Sequence, residues 1–437
     1  MRSAILLAVL TAAIAHGQTL AAAPPMGWNS WDAYGFTINE KDFRANAQVL
    51  AGFKSYGWSY AVIDEGWYLK DPFAKPDPQG YWWDATGRLI PDPARYPSAR
   101  NGAGFKPLAD WLHAQGLKFG IHILRGIPKE VVRQNLPVAS SGFRAADAAD
   151  TSDTCPWNPD NYGVRDTPAG QAYYDSIISL YAGWGVDFLK VDCIADHPYK
   201  AGEIRMISAA IAKSGRAIVL SLSPGPASID HAEELGKYAQ MWRIADDIWD
   251  GWAFPPQQAW PNGLLSAFDN LAKWAKYAKP GNWPDADMLP WGSLRPHPGW
   301  GPPRQSHLTQ DEQRTQFTLW AMARSPLILG GNLTELDEFT RSLITNKEVI
   351  AINQTAVRSG EVAGDKEDSA VMRVWFAETG DTQGARYIAV FNLQDASLSR
   401  SAQRDGYDVW DRKHISGGAV LPPVLPPHAC VLLRIAK

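Results

Sequence analysis

Short apolar runs recur along this chain, separated by helical stretches and by loops rich in Gly, Pro, Asn and Asp. Eight of them read as strands: Met26–Asn29, Tyr60–Asp64, Phe119–Ile123, Phe188–Asp192, Ile218–Leu222, Met241–Ile244, a weaker segment near Asp287–Leu289, and Pro326–Leu329. Helices lie between them. Phe43, Ala47, Leu50 and Phe53 follow one another at helical spacing and form one apolar stripe. They stand behind Thr37-Ile38-Asn39-Glu40, which has the form of a capping box. Gly116, Gly185 and Gly215 fall between a helical pattern and the next strand, where a C-terminal cap is expected.

Strand, helix, strand repeated eight times predicts a parallel (β/α)8 barrel of the TIM type. The alternative is an open doubly wound sheet, but no Gly-rich dinucleotide fingerprint follows the first strand. After about Ile352 the period changes. Val371–Phe376 and Tyr387–Asn392 alternate in polarity between Gly, Asp and Pro turns, as antiparallel strands of a small β-sandwich do. The chain thus divides into a leader (1–17), a barrel (18–356) and a C-terminal β-sandwich (357–437).

The leader has Arg2, an apolar run from Ala4 to Ile14 and a small-residue ending at Ala15-His16-Gly17, the marks of an export signal. That run is too short to cross a bilayer, and no later stretch is long and apolar enough. The expected location is therefore periplasmic or extracellular, with no membrane anchor. A net charge of −4 offers no footprint for nucleic acid or an anionic membrane. Three cysteines cannot all pair within one chain. In an exported protein Cys155 and Cys193 could bridge or stay free; Cys430 sits in an apolar run and reads as a strand thiol. His231, His297, His307 and His428 show no ligand spacing, so no metal is expected. The 20 tryptophans serve either a core or the flat faces of sugar rings.

Catalytic groups in such a barrel come from the C-terminal ends of the strands. Carboxylates collect there: Asp64-Glu65, Asp192, Asp246-Asp247, Asp285 and Asp287. Charges in that position are costly unless they are paired or used. Lys190 and Asp192 share one face of a strand, so the ammonium would hold the carboxylate ionised, as a nucleophile requires. A buried ion pair tying the barrel together fits the same spacing. Arg243 and Asp246-Asp247 supply a second carboxylate on another strand, and two carboxylates across one pocket are the machinery of glycoside hydrolysis. Spacing by itself does not separate this from other acid–base chemistry.

Ordered segments resemble glycoside hydrolase family 27, the α-galactosidase or melibiase family, from Pro24 to about Gln354. They are Pro25–Trp31, Lys190-Val191-Asp192, Trp242–Ile248, Trp283–Leu289 and Asn353-Gln354. The resemblance implies a retaining exo-glycosidase with Asp192 as nucleophile and Asp247 as acid/base, acting on an oligosaccharide or polysaccharide without metal or organic cofactor. It implies that Trp28, Asp64, Lys190, Arg243 and Asp287 hold the ring hydroxyls. Departures fall at specificity positions. Glu65 replaces the family's usual second Asp. His122 and Arg125 stand where a Tyr and a nearby Cys are usual, and either add donors to the pocket or order the following loop. Ser223 stands where a larger acid often reads the 2-hydroxyl. Terminal α-D-galactose is the expected glycone; β-L-arabinopyranose or an isomaltose-type glucan is the alternative on the same scaffold. A non-catalytic carbohydrate-binding barrel is the remaining reading, opposed by the presence of both carboxylates with their basic partners.

Overall fold

The computed structural model describes residues 19–74, 79–255, 257–258, 260–295, 302–362, 369–380, 384–401, 405–417 and 420–436. The leader and His297 lie outside the described residues. Eight parallel strands form one curled sheet: β1 (Met26–Asn29), β2 (Tyr60–Ile63), β3 (Lys118–Leu124), β4 (Phe188–Asp192), β5 (Val219–Leu222), β6 (Met241–Arg243), β7 (Trp283–Asp285) and β8 (Leu327–Leu329). Neighbours in sequence are neighbours in the sheet, and β8 returns to pair with β1, Met26 opposite Leu327. The isolated parallel bridge Leu289–Leu329 spans the remaining gap between the chain after β7 and β8. This ordering fits an α/β barrel.

The seventh strand differs from expectation. It is Trp283–Asp285, and Asp287 lies beyond its tip with φ +85°. A Pro within the strand and carboxylates at its end and just beyond it blurred the apolar pattern that marks the other seven.

Helices cover the outside, among them α1 (Glu40–Ala51), α2 (Lys106–Ala114), α3 (Pro168–Trp184), α4 (Ala201–Ser214), α5 (Gln310–Ala323) and α6 (Lys347–Thr355). Phe43, Ala47 and Leu50 of α1 are fully buried, so the apolar stripe does face the sheet. The cap of α1 is Asn39, whose side chain accepts from Asp42 N, while Thr37 Oγ1 donates to Tyr34 O instead. A short helical turn at Gly35–Thr37 takes Thr37 away from the capping position. Gly185 and Gly215 close α3 and α4 in left-handed conformations, and Gly116 follows α2 with φ +73°.

Helix α6 ends at Thr355 and the antiparallel part begins at once with β9 (Ala356–Glu361). It continues through β10 (Met372–Thr379), β11 (Arg386–Asn392), β12 (Leu398–Ser401), β13 (Gly406–Asp408), β14 (Lys413–Ile415), β15 (Val420–Leu425) and β16 (Cys430–Ile435). Six of these make one sheet in the order β9-β10-β11-β16-β13-β14, and β12 pairs with β15. Alternation divides β10 cleanly: Trp375 and Ala377 join the core that runs through the barrel, while Met372 and Val374 pack against a separate cluster with Val390, Val431 and Leu433. The sheet is thereby fixed to the barrel by one face.

Candidate active site

Alternation along the strands decides which side chains reach the barrel's interior. On β1, Asn29 turns inward and its Nδ2 donates to Asp64 Oδ2 at 2.6 Å. Trp28 therefore turns outward. It is fully buried, packs on Phe43 and Tyr34, and donates from Nε1 to Gly331 O. Its expected contact with substrate is not available; the indole that reaches the interior is Trp31, two residues past the strand.

Asp64, at the tip of β2, is the best-partnered carboxylate. Besides Asn29 it takes Lys190 Nζ at 2.8 Å on the same oxygen, and Oδ1 accepts from Glu65 N. Burial alone would raise it, yet Lys190 and then His122 hold it far below the ordinary carboxylate range. Lys190 pairs with Asp64 rather than with Asp192, the carboxylate on its own strand face. The pair keeps the ammonium charged against its burial.

Asp192 ends β4. Its Oδ1 accepts from Cys193 N at 2.7 Å and its Oδ2 lies 3.5 Å from His122 Nε2. Burial opposes its charge, but His122 and the more distant Lys190 bring it below the ordinary range, so it is ionised at neutral pH. His122, buried on β3, is itself raised: burial works against its charge, and Asp64, Asp192 and Glu65 outweigh it. Cys193 adopts φ +61° and is bonded to Cys155, so a disulfide anchors the turn just beyond Asp192.

Glu65 faces the same space. Its Oε1 accepts from Asn158 Nδ2 at 2.9 Å. Burial, with the charges of Asp192 and Asp64, pushes it up to about 7, against the pull of His122.

Across the site, Arg243 at the tip of β6 donates to Asp287 Oδ2 at 2.7 Å and to Asp247 Oδ1 at 3.1 Å. Ile248 N also donates to Asp287 Oδ2, and Trp260 Nε1 donates to Asp247 Oδ2 at 3.0 Å. Burial, Asp247 and Asp285 raise Asp287, with Arg243 opposing. Asp247 is the more open of the two, with 34% of its side chain exposed against 3% for Asp287, and so is reachable from the cavity.

One cavity of about 430 Å³ gathers these groups. Asp64, Glu65, Lys190, Asp192, Ser223, Asp247 and Asp287 line it, with His122 and Arg243 as support. A larger crevice of about 580 Å³ lies between Arg324, Arg358 and Phe376, ahead of β8 at the opposite end of the barrel, and holds none of them. Arg125 does not enter the cavity. It is buried behind the Cys155–Cys193 bridge, paired to Asp153 at 2.9 Å and Glu203 at 2.8 Å, with Nε donating to Cys193 O. Of the two readings for Arg125, ordering of the following loop is the one realised.

Several lining residues were not anticipated. Trp157, His197, Trp249 and Trp260 come from loops, where no periodicity marks them. Asp32 is buried in the wall, its Oδ2 without a hydrogen-bond partner among the described residues, and burial raises it well above the ordinary range. A Cβ on Gly330 would come within 1.8 Å of Asp32 Oδ2, so a larger residue there would displace that carboxyl group. Among the described residues no group of three or more His, Cys, Asp or Glu side chains is placed to hold a metal ion.

Asp192, ionised by its neighbours, and the more open Asp247 share one cavity, an arrangement compatible with glycoside hydrolysis, and the relatives show that this protein is a glycoside hydrolase. Its family follows from comparison: the family model described as alpha galactosidase A matches residues 23–130 and 160–355, and the chain belongs to that family, glycoside hydrolase family 27. It is 32% identical to alpha-galactosidase A of Cellvibrio japonicus, over 99% of this chain and 96% of that one. Among solved structures, a family 27 β-L-arabinopyranosidase from Geobacillus stearothermophilus superposes with a TM-score of 0.86 and 41% identity, covering 96% of this chain and 97% of that one. A putative α-N-acetylgalactosaminidase from Bacillus halodurans gives 0.81 and 39%, over 96% of this chain and 100% of that one. The matched blocks leave out 131–159, the segment that carries Asp153, Cys155, Trp157 and Asn158.

Proposed function

We propose that this enzyme removes terminal β-L-arabinopyranosyl residues by double displacement with net retention. Asp192 attacks the anomeric carbon as the bond to the leaving oxygen breaks, and Asp247 gives that oxygen its proton. Water then attacks the glycosyl-enzyme, Asp247 takes the water's proton, and Asp192 is released. Lys190, Asp64 and Asp287 hold the ring hydroxyls.

The observation that carries the choice of glycone is Glu65. β-L-Arabinopyranose and α-D-galactopyranose share every ring configuration and differ only by the hydroxymethyl arm on C5. A carboxylate one methylene longer than Asp, fixed in the cavity wall by Asn158, takes up room the larger sugar needs. The 41% identity to a β-L-arabinopyranosidase over nearly the whole chain supports the same reading. α-D-Galactosidase activity is the second reading, favoured by the likeness to the Cellvibrio enzyme.

The test is the rate on matched nitrophenyl β-L-arabinopyranoside and α-D-galactopyranoside. We expect kcat/KM for the arabinoside to be at least about tenfold higher, the usual worth of one misfitting methylene. Shortening the side chain with Glu65→Asp is expected to narrow that ratio. A faster galactoside in the wild type overturns the assignment and leaves galactose as the glycone.

We further propose that 18–356 is the catalytic unit and 357–437 an appended sandwich formed by the six-stranded sheet and the β12–β15 pair, whose Leu398 and Leu425 share a cluster with it. Export is supported by the leader's composition and the Cys155–Cys193 bridge.

A further inference from the structure

A leaving-group oxygen that takes a proton from Asp247 has to come within about 3 Å of its carboxylate. Both oxygens of that carboxylate already have donors. Arg243 is on Oδ1 from inside the barrel, and the Trp260 indole is on Oδ2 from the loop that follows β6. That loop closes on itself: Asn262 N donates to Asp247 O at 2.8 Å, and Trp249 N to Asn262 O at 3.0 Å. Trp260 is thus held beside Asp247 by backbone as well as by its own N–H. Its ring lines the cavity and remains 36% exposed, so it is not serving a core. Trp157 is a second half-open indole on the same cavity, 45% exposed, with its ring 5.2 Å from that of His197. It stands two residues from a cysteine of the disulfide that anchors the turn after Asp192.

We infer that Trp260 forms the leaving-group subsite, stacking the aglycone sugar of an oligosaccharide on its ring while its N–H orients the Asp247 carboxylate toward the bond that breaks. This rests on the assignment of Asp247 as acid/base. Any aglycone protonated there comes into contact with the indole hydrogen-bonded to that carboxylate. A flat, half-exposed aromatic face is what the apolar face of a pyranose stacks on, at little entropic cost. The natural substrate is then a glycone attached to another sugar, and Trp260 is a positioning residue for the proton transfer as well as a binding surface.

The two roles separate by substitution. Trp260→Phe keeps a flat ring and loses the N–H; Trp260→Ala loses both. Each is assayed on a glycosyl-(1→6)-glucose disaccharide carrying the glycone the wild type prefers, and on the glycosyl fluoride of that glycone. Fluoride is small, offers nothing to stack, and departs with little need of a proton. We expect Trp260→Ala to lower kcat/KM on the disaccharide at least about tenfold more than on the fluoride. Trp260→Phe is expected to restore the disaccharide KM but not its kcat. Equal losses on both substrates, or wild-type rates on both, overturn the inference. Asp247→Asn serves as the control on the underlying assignment: a variant that still cleaves the disaccharide at the wild-type rate removes the acid/base reading itself. A variant dead on the disaccharide, with Trp260 variants that do not discriminate, removes only the leaving-group subsite.

Discussion

Lys190 donates from Nζ to Asp64 Oδ2 at 2.8 Å, reaching past β3 to join the tips of β4 and β2. Both side chains are largely enclosed, so removing one leaves an uncompensated charge, at a cost of about 3–5 kcal/mol. Lys190→Met is expected to lower unfolding stability by about 3 kcal/mol and kcat/KM by at least about 100-fold. Adding Asp64→Asn should return part of the stability and none of the activity. Urea denaturation and initial rates on the double and single variants check this; additive stability losses would mean that the pair is not coupled.

Asp192→Asn removes the attacking oxygen while keeping the shape and the hydrogen bond from Cys193 N. Turnover is expected to fall by at least about 1,000-fold with an almost unchanged melting temperature. On the wild type, proton NMR of the first-formed sugar should show the anomer of the substrate. Inversion would refute double displacement, which needs the two carboxyl groups about 5–5.5 Å apart.

Glu65 gives a pH signature. Its carboxyl rises from 4.5 to about 7 on folding, so between those values the folded chain holds a proton that the unfolded chain has released. Stability contributed by the protonated form is complete below pH 4.5 and is lost as pH rises toward 7. Glu65→Gln has no such proton and keeps an acceptor for Asn158. Across that window wild type is expected to lose about 2 kcal/mol more stability than the variant, read by denaturant titration at each end. Parallel pH profiles would show that Glu65 is ionised throughout.

Arg125 separates support from substrate contact. Arg125→Met leaves Glu203 buried without a cation, while Asp153 keeps Lys200, and is expected to cost about 3 kcal/mol of stability. KM for a small aryl glycoside should stay within about twofold, since Arg125 lies behind the disulfide rather than on the cavity. A large rise in KM with stability intact would return Arg125 to the binding site.

Local pattern carried much of the architecture. Seven of the eight barrel strands fall where apolar runs predict them, because a strand buried between helices needs a continuous apolar segment whatever its neighbours are. The concentration of Asp64, Asp192, Asp247 and Asp287 near strand ends was visible for the converse reason: a charge beside such a run is conspicuous. Pairing was not visible. Lys190 and Asp192 share a strand face, yet the ammonium meets Asp64, which is 126 residues away. Which aromatic residue faced inward also escaped, since Trp28 and Trp31 are equivalent as composition and differ only in their place on or after β1.

By itself, the sequence determined the parallel strand–helix repeat, the switch to antiparallel strands after Ile352, and the residue types available for acid–base chemistry. These depend on periodicity and on the cost of burying charge, both of which are local. The tertiary structure decided which donor each carboxylate meets, that Trp28 packs outward while Trp31 enters the cavity, that Arg125 braces a disulfide, and that loop tryptophans line the cavity with Trp260 on Asp247. Those outcomes depend on distances between strand tips and on loops whose course is set by the barrel they cap, and neither quantity is written in the spacing of residues along one strand.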